Sequence, residues 1–474
     1  MASYDAVVVG SGPNGLAAAV VFAEHGYRVA VLEARSTVGG GTRTDEVTLP
    51  GFRHDVCSAF HPLGIASPLF SRLPLGKLGV RWILPEIQVA HPFDDGRAAA
   101  LWRSLGTSCD HLGVDGDRWR RSVRRVTQYW DAVGSTVMKP LTARPFAPVS
   151  LASWALPATR VARRFSAGST RALFAGLAAH GMRRLDAPAT AAAGLLLGGL
   201  AHVGGWPLVE GGSASISTAL AAHLASLGGD VRLDHRVRRP GDLPPSRVVL
   251  FDTHPAALLD VYGEAAVPAS TRRRITGYRR GAAAYKIDYA LAAPVPWTAP
   301  ECARAGVVHL GGTYEEVVEA TRTVEAGGVP ERPFVLVGQQ SLFDRSRAPG
   351  GRHTLWAYTH VPGGFEGSVR ERVEAQIERF APRFREIVLA CRVTTPRDLE
   401  AYNPNYVAGD IATGLHSVRR MLGRPGPFLN PYRTGIPGVY LCSAATPPGP
   451  GVHGMCGANA AQAAIREYPR DRET

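Results

Sequence analysis

Tyr4 to Glu33, YDAVVVGSGPNGLAAAVVFAEHGYRVAVLE, decides the fold. Ala6 to Val9 is a short β-branched run that leads directly into Gly10-Ser11-Gly12-Pro13-Asn14-Gly15. A helix is expected from Leu16 to His25, Gly26 ends it, and Arg28 to Leu32 reads as a second strand closing on Glu33. The order is a complete β-α-β unit. Gly10 makes the tight turn, Gly12 lets the backbone approach a pyrophosphate, and Gly15 lets helix and strand pack closely. The helix N-terminus, at Pro13 and Asn14, offers free N–H groups and a positive dipole end to phosphates. Glu33 stands near the spacing at which a carboxylate accepts hydrogen bonds from ribose hydroxyls, so the unit reads as a dinucleotide site.

A second Gly-rich turn follows at once: Ala34-Arg35-Ser36-Thr37-Val38-Gly39-Gly40-Gly41-Thr42-Arg43-Thr44. It brings backbone N–H groups and a guanidinium to the same diphosphate from the other side, which a nicotinamide enzyme has no general need for. LEAR followed by VGGGTRT resembles the second flavin signature of the FAD-dependent amine oxidase and phytoene desaturase superfamily. The cofactor implied is FAD, with Gly40, Gly41, Thr42 and Arg43 joining the N-terminal residues around it.

The resemblance runs on. Gly51 to Ser58 is similar to the segment that passes the flavin ring in those relatives. Glu210 to Ile216, a helix to Leu227 and a strand from Asp230 to Val237 resemble the return to the FAD domain, where the position of Val237 holds the adenine through its backbone. Gly438 to Ser443 looks like the last FAD-domain strand. Behind it, Pro450-Gly451-Val452-His453-Gly454 fits the turn that crosses beside the isoalloxazine before a helix aimed at the ring, where bulky side chains would obstruct close approach. Ser443 replaces the acidic residue that many amine oxidases carry for the ribityl chain, which places the sequence nearer the desaturase branch.

The fold class expected is α/β with an α+β substrate part: a discontinuous Rossmann-type FAD-binding domain from residues 1–75, 206–280 and 395–474, and an inserted sheet-and-helix substrate domain from 76–205 and 281–394. In the second insertion, Ala284 to Leu291 alternates, with Ala284, Lys286, Asp288 and Ala290 on one face. AYKIDYALAAPVPW resembles the strand of flavin amine oxidases whose lysine reaches flavin N5 through a water, and Lys286 falls on that position. The other reading of Lys286 is an edge-strand lysine that blocks aggregation. Lys286 and His453 are the candidate catalytic residues. His353 to His360 reads as a strand with Thr354, Trp356, Tyr358 and His360 on one side, which suits either an aromatic-lined cavity or a core layer, and for Trp356 the core is expected.

Composition narrows the function. At 474 residues and 45% hydrophobic, the chain has material for more than one core. The net charge is +13, and of 53 basic residues only Lys77, Lys139 and Lys286 are lysines. No basic and aromatic module for nucleic acid is present. Six cysteines without a CxxC pair argue against a redox disulfide and against a metal site, and are read as reduced thiols in a cytoplasmic protein. The start of the chain reads as a strand rather than a leader. Ala187 to Val209 is uncharged but Gly-rich, and is expected as a buried helix and loop rather than a membrane span. Arginines around Trp119, Val123, Val126 and Trp130, and again around Val161, Phe165, Leu173 and Phe174, read either as a solvated face over a core or as peripheral membrane contact.

The activity implied is that of an FAD-dependent oxidoreductase resembling phytoene desaturases: a hydride passes from a largely apolar substrate to flavin N5, with oxygen or a quinone as final acceptor. A flavin amine oxidase, and a partner-binding protein with structural FAD, are the alternatives.

Overall fold

The computed structural model describes residues 3–140, 148–414 and 430–470. The expected segments 1–75, 76–205 and 395–474 each include positions outside these. In chain order the principal strands are β1 (Tyr4–Val9), β2 (Val29–Leu32), β3 (Ile87–Pro92), β4 (Ala98–Trp102), β5 (Asp230–Arg232) and β6 (Ser246–Phe251). They continue with β7 (Ala283–Leu291), β8 (Ala305–Leu310), β9 (Val335–Gly338), β10 (His353–Val361), β11 (Val388–Thr394) and β12 (Val439–Leu441). The helices that matter for the site are α1 (Pro13–Glu24), α2 (Gly116–Gln128), α3 (Gly168–Ala179), α4 (Ala191–Val203), α5 (Ala214–Ser226) and α6 (Met455–Glu467).

Two sheets organise the chain. The first has five parallel strands in the order β12-β6-β1-β2-β5, so strands from three distant parts of the sequence share one Rossmann-type sheet. Their apolar runs are buried on both faces, as a parallel sheet between helices requires. Helix α1 starts with Pro13 at its first turn and packs against α6 and α5. A Cβ at Gly457 would strike the Asn14 carbonyl, so α6 lies against the start of α1 at backbone distance. The second sheet is mixed, seven strands in the order β11-β7-β10-β9-β8-β3-β4, with β8 and β3 parallel and the other pairs antiparallel.

Three expectations change at this level. The strand expected to reach Val237 stops at Arg232, because Asp234 turns into the left-handed region (φ 53°) and leads the following residues out of the sheet. Strand β7 lies between β11 and β10 with all nine residues buried, which removes the edge-strand reading of Lys286. Trp356 is half-buried on a cavity wall rather than packed in the core.

The uncharged segment 187–209 forms the short helix α4 and a loop, and no helix among the described residues is long and apolar enough to cross a membrane. Trp119, Val123, Val161, Phe165, Leu173 and Phe174 share one buried cluster, so the apolar residues among the arginines are spent inside the protein. All six cysteines are free thiols.

Candidate functional site

A cavity of ≈1010 Å³ opens where β1, β2 and β6 end and runs to the face of β8, β9 and β10. Of the expected cofactor residues, Gly10, Gly12, Pro13, Asn14, Glu33, Ala34, Arg35, Gly40, Gly41, Thr42, Arg43, Val237, Ser443, Gly451 and Val452 border it. Gly15 and His453 do not. Gly15 stands one step behind the turn, where a Cβ would collide with the Gly10 carbonyl; its role is close strand–helix packing.

The end of β2 sets the polar chemistry of the nucleotide side. Glu33 is buried, and its carboxylate accepts the Ser11 N–H (3.0 Å) and Ser11 Oγ–H (2.5 Å) on Oε2 and the Arg35 N–H (2.9 Å) on Oε1. Arg43 reaches Glu33 Oε1 at 3.4 Å and donates to the Gly40 and Thr37 carbonyls, so the second Gly turn is tied to the first strand–helix unit through this pair. Both Arg35 and Arg43 lie over the ring of Tyr402, at 5.5 and 5.8 Å from its centroid. Tyr402, from the short helix Pro396–Tyr402, therefore roofs the turn.

Sequence reasoning missed Asp252. The run VVLFDTHP is β6 followed by an acid, the same strand-then-carboxylate signal as β2 and Glu33, and it delivers Asp252 Oδ2 to the Gly15 N–H at 2.8 Å. Burial pushes the Asp252 carboxyl well above the ordinary range, and the nearby Glu33 pushes the same way, against the Gly15 N–H.

On the opposite side, the C-terminal turn approaches the cavity through Pro450, Gly451 and Val452. Gly451 has φ 139°, and a Cβ there would come 2.7 Å from Leu63 Cδ1. His453 is buried beneath the turn: its Nδ1 accepts the Met455 N–H (3.0 Å), which leaves its proton on Nε2, 3.1 Å from the Gly449 carbonyl. The ring braces the turn and the start of α6.

Lys286, on β7, does not border the cavity. It is buried in an ion pair with Asp288, whose other oxygen lies 3.5 Å from His54 Nδ1. Burial alone would raise the Asp288 carboxyl; Lys286 and His54 hold it below its ordinary value. Lys286 and Asp288 lie on one face of β7 as the alternation implied, and the ion pair between them is a finding of the structure.

The far end of the cavity is apolar and aromatic. Leu197, Trp206, Val307, Leu336, Trp356 and Tyr358 form it, with Trp356 and Tyr358 edge to face at 4.9 Å. Trp356 Nε1–H donates to the Cys57 carbonyl (3.2 Å), which fixes the segment after His54–Asp55 along the wall.

Residues 8–73 match a family model described as an NAD(P)-binding Rossmann-like domain. Over nearly its full length the chain is similar to pyridine nucleotide-disulfide oxidoreductase domain-containing protein 2 of Mus musculus, 26% identical with 98% of this chain and 94% of the relative covered. A shorter stretch, 29% of this chain and 26% of the relative, is 29% identical to a limonene dehydrogenase subunit of Castellaniella defragrans. The structure is similar to that of a double mutant of putrescine oxidase, with TM-score 0.62, 18% identity, and 98% of this chain and 99% of the other covered. The chain thus carries an NAD(P)-binding Rossmann-like domain within an overall fold similar to that of putrescine oxidase.

Proposed function

We propose that the chain is an FAD-dependent oxidoreductase that passes a hydride from a largely apolar substrate to flavin N5, with oxygen or a quinone as the final acceptor. The observation that carries this reading is the continuous cavity that joins the glycine cradle to an apolar, aromatic wall. The residues present fit FAD: the turn before α1 for the diphosphate, Glu33 for ribose hydroxyls, the chain at Val237 for the adenine, and the start of α6 for the ring end. When bound, FAD supplies the hydride acceptor. Limonene is an isoprenoid hydrocarbon, so the partial likeness to the limonene dehydrogenase protein favours the apolar-substrate reading over the others.

The chain's own residues then orient and enclose. Leu197, Val307 and Leu336 desolvate an apolar substrate, and the edge-to-face pair Trp356 and Tyr358 completes the wall around it. Lys286 and His453 act by positioning, Lys286 through Asp288 and His54, and His453 through the turn at Gly451. A flavin amine oxidase is the second reading, favoured by the Trp356–Tyr358 pair, which would flank an amine, and by the overall likeness to putrescine oxidase.

Anaerobic mixing of the FAD-loaded protein with apolar isoprenoids and, separately, with primary amines tests the choice. Bleaching of the flavin absorbance by the isoprenoids is the expected result. Bleaching by amines alone would assign the second reading, and a flavin that no substrate bleaches yet light reduces and air reoxidises would overturn the proposed substrate class.

A further inference from the structure

The substrate end of the cavity contains a hydrogen-bonding device that the proposed reading does not use, and the inference drawn from it rests on that reading. His180, just past α3, borders the cavity, and its Nε2 lies 2.9 Å from Nε2 of His309 on β8. His309 is fully buried, and its Nδ1 has no partner. Burial keeps both rings neutral, pulling His180 down to about 3 and His309 well below its ordinary value. Each neutral ring carries one N–H, so one of the two facing nitrogens donates and the other accepts.

Were His180 the donor, His309 would keep its only proton on a buried Nδ1 with no acceptor, and orphaned buried N–H groups are the rarer and costlier case. His309 Nε2–H therefore donates to His180, and the His180 proton sits on Nδ1. His180 lines the cavity together with Trp206, Leu336 and Tyr358, and its ring meets that of Trp206 edge to face at 5.4 Å. The carboxylates that border the cavity, Glu33, Asp252, Asp260 and Glu400, come from the ends of β2 and β6 and from the helices Ala257–Tyr262 and Pro396–Tyr402, not from this wall.

We propose that His180 Nδ1–H is a recognition point for an uncharged oxygen acceptor, a carbonyl or ether, carried by an otherwise apolar substrate, with His309 as the positioning residue that fixes the donor tautomer. A cationic amine would meet a donor and apolar rings there with no counter-ion.

Isothermal titration of the FAD-loaded protein at neutral pH with three probes of one shape, benzylacetone, butylbenzene and the primary-amine analogue of benzylacetone, reads this directly. Benzylacetone should bind about tenfold more tightly than butylbenzene, the worth of one net hydrogen bond, and the amine should bind least well. His180→Phe should bring benzylacetone and butylbenzene within about twofold, and His180→Gln, which returns an N–H to the wall, should regain part of the preference. In His309→Phe the nitrogen NMR signature of His180 should move from the Nδ1–H tautomer to a mixture, a change that mere packing would not produce. Equal binding of benzylacetone and butylbenzene to the wild type, tightest binding of the amine, a preference that survives His180→Phe, or an unmoved tautomer in His309→Phe would overturn the assignment. Flavin content is measured on the same samples, so a failure of the cofactor reading shows as missing FAD whatever the ranking of probes.

Discussion

Acidification from pH 7 to 5 is expected to lower the melting temperature by roughly 5–10 °C. Burial holds His61, His91, His202 and His360 down to about 4 and His180 to about 3. In the unfolded chain each returns to about 6.5. Between these values the unfolded state binds more protons than the folded one, so stability rises with pH across the window. The contribution is fully present above about 6.5 and is lost as pH falls toward the folded values. Over two pH units each such histidine costs about 2 kcal/mol, spread over the large unfolding entropy of a chain this long. Melting curves at pH 7, 6 and 5 check the point, with His360→Phe as a variant in which the slope should flatten. A melting temperature unchanged down to pH 5 would mean that these rings are hydrated or paired in a way the packing does not allow.

Arg347→Met should destabilise the protein by about 3–5 kcal/mol, because it strands two buried acids. Arg347 has no exposed surface and donates to Asp344 at 2.7 Å, to Asp55 at 3.0 Å and to the Val209 carbonyl at 2.9 Å. Asp55 also accepts the Ser213 N–H, and Asp344 the Gly211 N–H. One guanidinium thus joins the loop between β9 and β10 to the segment beside Cys57 and to the turn before α5. Asp55→Asn and Asp344→Asn added to Arg347→Met should recover much of the loss, since no net charge then remains in the pocket. Urea unfolding of the three proteins measures it; a midpoint for Arg347→Met indistinguishable from wild type would show that the cluster is solvated.

What the sequence displayed of the fold was local. Gly10 to Glu33 reads as a nucleotide unit because strand, turn, helix and acid follow within one short stretch, and both Gly turns border the cavity as their spacing implied. The alternation through Ala284 to Leu291 likewise put Lys286 and Asp288 on one face, and they pair there. The third partner, His54, was hidden, because nothing near either residue announces a contact between the short His54–Asp55 strand and β7. Asp252 was legible in principle from an apolar run ending in an acid, yet only the parallel pairing of β6 with β1 brings it to Gly15. The imidazole pair was not legible at all: His180 and His309 lie 129 positions apart and meet only because α3 packs on the second sheet. Tyr402 falls in the same class, a roof on the second Gly turn supplied from a distant helix.

FAD is expected in the cleft between the two Gly turns and the start of α6, and the most direct test is the flavin released on denaturation, together with its affinity for the apoprotein. Wild type should yield stoichiometric FAD in the supernatant, bound without a covalent link. Glu33→Ala should bind FAD roughly tenfold or more weakly, since it loses a charge-assisted acceptor worth about 1.5–3 kcal/mol. Yellow colour left in the protein pellet would contradict the non-covalent assignment, and a protein without flavin, or Glu33→Ala and Arg43→Ala variants that bind FAD as the wild type does, would contradict the site itself.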